Sequence, residues 1–118
     1  MNALVGSCHC RRVRITLPRK PDDITHCNCS LCTKTGFQGA YFRSDELTIE
    51  GEFHSYVRDD IKEPFLATYR CAHCGITTHW TPLTEPPHDR MGVNARLIDA
   101  AVLQDVRVQQ VDGASWDE

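Results

Sequence analysis

"Tyr69-Arg70-Cys71-Ala72-His73-Cys74-Gly75" holds two cysteines on one turn, and a glycine follows them. This is the form of a zinc knuckle. Two thiolates sit on a tight loop, and Gly75 readily takes the positive φ that lets backbone N–H groups approach the sulfurs. A knuckle supplies half of a tetrahedral site, so the chain must hold a second pair. Cys8 and Cys10, in "GSCHC", are such a pair. Together Cys8, Cys10, Cys71 and Cys74 make a closed four-thiolate set for a structural metal, tying the start of the chain to its middle. The loop so closed spans roughly 60 residues, a length at which cross-linking removes much unfolded-state entropy. Zinc binding contributes on the order of 10 kcal/mol to folding in small zinc peptides.

Such a staple suits this chain. At 118 residues, 41% hydrophobic and 25% charged, it has the length and composition of a single globular domain over 1–118, with a modest core. The formal net charge of −3 gives no basic field for nucleic acid or an anionic membrane surface. The arginines of "RRVRITL" alternate with Val13, Ile15 and Leu17 and read as the solvent face of a strand. No apolar run approaches the length of a membrane span. The opening "MNALVGSCHC" lacks the charged and apolar segments of a secretory signal, so a cytoplasmic setting with reduced thiols is expected. Seven cysteines there are metal ligands or reactive groups rather than disulfides.

Periodicity along the chain is mostly two. "RRVRITL", "GAYFR", "FLATYR", "ITTHW", "VNARLI" and "VRVQQV" read as strands, and "LTIEGEFHSYV" as two strands meeting near Gly51. "DAAVLQD" has room for one helical turn, Gly36 can cap another, and the prolines of "TPLTEPPHD" demand a loop. The expected fold class is mainly β: a small, zinc-stapled antiparallel β fold with few short helical turns. Trp80 and Phe65 are expected in the core, and Trp116 is expected to pack the terminal segment onto the domain.

Three cysteines remain, Cys27, Cys29 and Cys32 in "HCNCSLCTKTG". Three thiolates with one vacant position is the layout of a catalytic zinc site. A three-thiolate zinc carries a formal charge of −1, which weakens its power to make hydroxide. It suits holding a further thiolate or orienting a carbonyl oxygen. Two alternatives stand beside this reading. A histidine could close the site, with His73 or His79 better placed than His26, which would strain beside Cys27. Otherwise the three cysteines could be a metal-free redox group.

"GSCHCRRVRI", "HCNCSLCTKTG", "YRCAHCG" and "VNARLIDAAVLQDVRVQQVDGASW" resemble the glutathione-dependent formaldehyde-activating family, which shares its domain with centromere-protein-V-like proteins. The resemblance covers nearly the whole chain. It implies a β-tent fold and two zincs. Cys8, Cys10, Cys71 and Cys74 would hold the structural ion, and Cys27, Cys29 and Cys32 the catalytic, more labile one. It further implies condensation of a glutathione-like thiol with a small aldehyde, formaldehyde in the named activity, to S-(hydroxymethyl)glutathione. Formally this is a carbon–sulfur lyase reaction in reverse. A binding or scaffold module with two structural zincs is the alternative.

The chain departs from the family pattern at Ile76, where a threonine is expected after the knuckle. Glutathione's two carboxylates call for cations, and Lys34, Arg43, Arg58, Arg90 and Arg96 are available. Lys34, two residues after Cys32, is a candidate neighbour of the metal beside the ordinary reading of a solvated surface lysine. Arg96 reads as a structural ion-pair residue, and His26 is a candidate proton carrier beside an exposed or supporting role.

Overall fold

The computed structural model describes residues 4–64, 66–83 and 90–116. Phe65, the side chain of Trp116 and most of the proline-rich loop lie outside the described residues. The chain runs β1 (Leu4–Ser7), β2 (Arg14–Leu17), β3 (Asp23–Cys27), α1 (Ser30–Thr35), β4 (Gly39–Arg43), β5 (Thr48–Glu50), β6 (Phe53–Val57), β7 (Leu66–Cys71), β8 (Thr77–Pro82), β9 (Arg90–Asn94), α2 (Ala100–Leu103) and β10 (Arg107–Val111). Short 3-10 turns cover Ser44–Glu46, Ala95–Leu97 and Gly113–Trp116.

Two sheets result. The smaller has the order β1-β2-β5 and the larger β10-β3-β4-β9-β8-β7-β6. The expected mainly β fold with few short helices is what the chain forms. Pairing is antiparallel except at β10, which lies parallel to β3 with Arg107 opposite Asp23 and Val111 opposite Cys27. These two strands are far apart in sequence, so no hairpin constrains their direction.

The alternation of Val13, Ile15 and Leu17 places all three at full burial. Ile15 and Leu17 pack against Ile24, Phe42 and Val93 from the larger sheet, each fully buried side chain contributing about 1.5–3 kcal/mol of transfer free energy. The strands read around Gly51 belong to different sheets: β5 pairs with β2, and β6 with β7. Gly51 makes the change of sheet at φ 140°, and a Cβ there would lie 2.8 Å from Val13 Cγ2. No other residue fits that bend.

One strand assignment shifts. "VNARLI" was expected to be extended, but β9 ends at Asn94, and Ala95–Leu97 form a 3-10 turn. The buried Asn94 side chain accepts from Arg96 N at 3.1 Å and donates to Thr77 O at 2.8 Å. This local cap competes with continuing the strand.

In the larger sheet the two faces separate cleanly. Ile24, Ala40, Phe42 and Val93 face the core. Thr25 and Cys27 of β3, Gly39 and Tyr41 of β4, Trp80 of β8 and Arg90 of β9 face the opposite side and line a cavity. Period-two alternation thus gives the sheet a structural face and a chemical face.

Candidate metal centres and the adjoining cavity

The seven cysteines gather into two groups, and within each the sulfurs all lie within 4.8 Å of one another. All seven are free thiols. The first group is Cys8, Cys10, Cys71 and Cys74. Cys10 Sγ lies 3.6 Å from both Cys8 Sγ and Cys71 Sγ. A tetrahedron with about 2.3 Å zinc–sulfur bonds has edges of about 3.8 Å, so the donor set fits the ion. Backbone donors point at the sulfurs, as a knuckle requires. Val13 N donates to Cys8 Sγ at 3.4 Å, and His73 N and Cys74 N donate to Cys71 Sγ at 3.3 and 3.4 Å.

These turns are built from the backbone. Cys71 N donates to Ile76 O and Gly75 N to Cys71 O, with Gly75 at φ 81°. Ile76 serves the knuckle through its carbonyl while its side chain is exposed, so the departure at this position leaves the loop intact. Burial pushes the Cys8 thiol up. At Cys74 burial also opposes ionisation, but backbone N–H groups of Ile76 and Cys10 and the thiols of Cys8 and Cys71 outweigh it, bringing the group down to about 6. Val13, Ile49 and Phe53 pack around this group.

The second group is Cys27, Cys29 and Cys32, all partly buried. Cys27 ends β3, Cys29 caps α1 by accepting from Cys32 N at 3.3 Å, and Cys32 sits inside that helix. Gly36 ends the helix at φ 75°, as its sequence position suggests. The sulfur spacing fits a metal here too, with three donors in place of four. Burial, together with Cys29 beside them, pushes the Cys27 and Cys32 thiols up. A bound cation would reverse that balance by stabilising the thiolates.

No described histidine joins this group. His73 is exposed on the knuckle. His79 is buried, stacked on Tyr69 at 4.6 Å, edge-on to Phe53 at 5.0 Å and bonded to Thr78 Oγ1 at 2.8 Å. Burial lowers its pKa to about 4, so it is a neutral packing residue. His26 points away from the cavity because it alternates with Thr25 and Cys27; it is exposed and meets Gln110 Oε1 at 3.0 Å. Of its two readings, proton carrier and exposed residue, the geometry supports the exposed one.

The second group, unlike the first, opens on a cavity of about 400 Å³, within the range of small-molecule sites. Leu31, Phe37, Ile61, Leu66 and Trp80 make much of its wall. Trp80, expected in the core, is half-buried and lines this space. Of the five candidate cations, Arg58 and Arg90 reach the cavity. Arg58 is held by Asp60 at 2.7 Å and Ser30 Oγ at 3.2 Å, linking it to α1. Arg90 lies over the Tyr41 ring at 4.4 Å.

The other three lie elsewhere. Arg43 pairs with Asp45 at 2.6 Å, and Arg96 donates from Nε to Gly36 O at 2.7 Å, holding the end of α1. Lys34 is exposed and outside the lining, the solvated one of its two readings. Two residues along a helix turn about 200°, which carries it to the face opposite Cys32.

Three contributors escaped the sequence reading. Asn28 ties the cysteine segment to the C-terminal turn: Nδ2 donates to Asp112 Oδ1 at 3.0 Å, and Oδ1 accepts from Ala114 N at 2.8 Å. Thr25 and Tyr41 line the cavity. The available signal was glycine inside alternating strands, since Gly39 and Gly92 leave room for the Tyr41 and Trp80 side chains.

Comparison with known proteins finds likenesses over nearly the whole chain. The family description "Glutathione-dependent formaldehyde-activating enzyme" matches residues 3–111. The crystal structure of a Rhodobacter sphaeroides protein, a structural genomics target, is similar with a TM-score of 0.68 and 26% identity. The alignment covers 90% of this chain and 100% of that one. No curated protein matches the chain. With nearly its whole length matched, this chain belongs to the glutathione-dependent formaldehyde-activating enzyme family.

Proposed function

We propose that this protein is a cytoplasmic, zinc-dependent enzyme of the carbon–sulfur lyase type. It forms or cleaves the adduct of a small aldehyde with a glutathione-like thiol, S-(hydroxymethyl)glutathione from formaldehyde and glutathione in the leading case. In this reading Cys27, Cys29 and Cys32 hold the catalytic zinc, and Cys8, Cys10, Cys71 and Cys74 hold a structural one. The observation that carries it is the contrast between the groups: the three-cysteine set opens on the cavity, and the four-cysteine set is closed by its own turns.

When bound, zinc at three thiolates supplies an open Lewis-acid position with affinity for sulfur and oxygen. The chain's own residues do the rest. Leu31, Phe37 and Trp80 shield the reacting groups from water, which strengthens every polar contact inside. Arg58 and Arg90 on the wall offer positive charge to the carboxylates of a glutathione-like thiol. Holding thiol and aldehyde together in this space converts a bimolecular addition into a local one.

The test is exchange NMR with ¹³C-formaldehyde and glutathione, since the uncatalysed addition has its own measurable rate. Catalysed exchange that disappears in Cys29→Ala is the expected result. Zinc counted per chain before and after equilibration with glutathione gives the second readout. Two zincs indifferent to the thiol, with exchange at the uncatalysed rate, would favour a scaffold role and sink the enzyme reading.

A further inference from the structure

We propose that the hydroxyls of Thr25 and Tyr41 form an oxygen-binding subsite beside Cys27, which recognises the carbonyl-derived hydroxyl of the adduct. The inference rests on the thiol–aldehyde reading above and deepens it by naming where the aldehyde's oxygen goes.

Thr25 is 5% exposed, and its Oγ1 is a buried polar atom without a hydrogen-bond partner among the described residues. Leaving such a group unsatisfied costs about 1–3 kcal/mol. Packing does not call for it, because valine has nearly the same shape. Thr25 is two residues from Cys27 on the same strand face, and both line the cavity. Directly across the sheet from Thr25 is Gly39. A Cβ on residue 39 would lie 2.9 Å from Tyr41 Oη. The phenol therefore leans over a bare backbone position toward Thr25, whose hydroxyl partly offsets the burial that pushes the Tyr41 pKa up.

The Tyr41 ring is fixed in that pose. Arg90 lies over its face at 4.4 Å, and Trp80 meets it edge-on with centroids 5.9 Å apart and planes at 63°. Two other hydroxyls on the wall are already committed: Thr35 Oγ1 donates to Leu31 O at 2.8 Å, and Thr68 Oγ1 to Tyr56 O at 3.2 Å. Thr25 and Tyr41 are thus a preset pair with hydrogen-bonding capacity left, next to the cysteine group.

The chemistry needs such a pair. Addition of a thiol to an aldehyde forms the carbon–sulfur bond and breaks the carbonyl π bond. That electron pair moves to oxygen, and the thiol's proton ends there, giving a hydroxyl. Tyr41 Oη–H donates to this oxygen as negative charge develops, and Thr25 Oγ1 makes the second hydrogen bond. Donors fixed in advance stabilise developing charge more than mobile water does.

The experiment compares two ligands on the zinc-loaded full chain: S-(hydroxymethyl)glutathione, formed from glutathione and ¹³C-formaldehyde, and S-ethylglutathione, of nearly equal size but without the hydroxyl. Dissociation constants come from NMR titration. Wild type is expected to prefer the hydroxymethyl ligand by about tenfold, and Tyr41→Phe and Thr25→Val each to reduce that preference by about three- to tenfold. Thr25→Ser should keep it. Affinity for S-ethylglutathione should stay unchanged throughout, which reports an intact cavity. Equal weakening of both ligands in the variants, or equal affinity for both in wild type, overturns the subsite alone. Failure of wild type to bind either ligand overturns the glutathione reading as well.

Discussion

The two cysteine groups use the same side chain under opposite constraints. Cys8 and Cys10 meet Cys71 and Cys74 across some 60 residues of chain, on turns whose backbone N–H groups already point at sulfur. Cys27, Cys29 and Cys32 come from one strand end and the helix that follows it, and they look out on a cavity. Ordering the first group costs the chain a long loop closure, so a metal held there would contribute to the whole fold. Bringing the second together costs little, because neighbours in sequence are neighbours in space. The comparison teaches that a metal centre's effect on stability follows the sequence distance it spans, while its chemistry follows what its open side faces.

The largest predicted effect breaks the closed group. Cys71→Ala removes a ligand with two backbone donors aimed at it. A structural zinc worth on the order of 10 kcal/mol rivals the roughly 5–15 kcal/mol stability of a whole domain. The variant should show no cooperative thermal transition by circular dichroism. Cys29→Ala, the matching change in the open group, should lose one zinc per chain by elemental analysis and at least about 100-fold in exchange rate. Its melting temperature should fall by only a few degrees. If Cys29→Ala unfolds the protein as Cys71→Ala does, the division of labour is wrong.

A chelator titration sharpens the same contrast without mutation. The first equivalent of zinc should leave with far-UV ellipticity intact, and the second should leave together with the fold. Simultaneous loss of both would show the two centres to be energetically one.

How much of this was legible beforehand depended on what faced what. The cysteine spacing and the alternation of Val13, Ile15 and Leu17 carried the grouping of Cys8, Cys10, Cys71 and Cys74 and the core, because local chemistry and burial point the same way there. The strand Asp23–Cys27 went unread. On its cavity face Thr25 is polar yet buried and Asp23 and Cys27 are half-buried, so "DITHC" lacks the apolar-in, polar-out rhythm of a strand with one wet face. Trp80 read as core because an aromatic in a strand usually is; only the sheet order reveals that its face opens on the cavity. Lys34 and His26 take the exposed side of their two readings for one reason: nearness in sequence to a cysteine says nothing about which face a side chain takes.

His79 allows a pH test of the closed side. Its ring is edge-on to Phe53, which pairs across the sheet with Cys71. Burial holds its folded pKa at about 4, below the ordinary 6.5. The unfolded chain therefore takes up a proton first as pH falls. The stability His79 contributes is complete above pH 6.5 and is lost between 6.5 and 4. Between pH 7.5 and 4.5, wild type should lose about 2–3 kcal/mol more than His79→Phe in urea unfolding. Thiolate protonation is common to both proteins and cancels in the difference. Equal losses would mean that His79 is not held neutral.

The smallest expected effect lies on the open side, at Asn28. Its side chain joins the Cys27–Cys29 turn to Asp112 and Ala114 through two exposed hydrogen bonds, together worth about 1 kcal/mol net. The backbone bond from Asn28 N to Val111 O remains in Asn28→Ala, so the strand pairing survives and the melting temperature should drop by only about 3–5 °C. What loosens is the angle between the end of the strand and the start of the helix, and that angle sets how far Cys27 lies from Cys29 and Cys32. Zinc affinity of the open group, measured by competition with a chromophoric chelator, should therefore fall by about three- to tenfold. Affinity of the closed group should not move, because no hydrogen bond of Asn28 reaches it. A matching loss at both centres would mean that the C-terminal turn braces the whole sheet rather than the three-cysteine site.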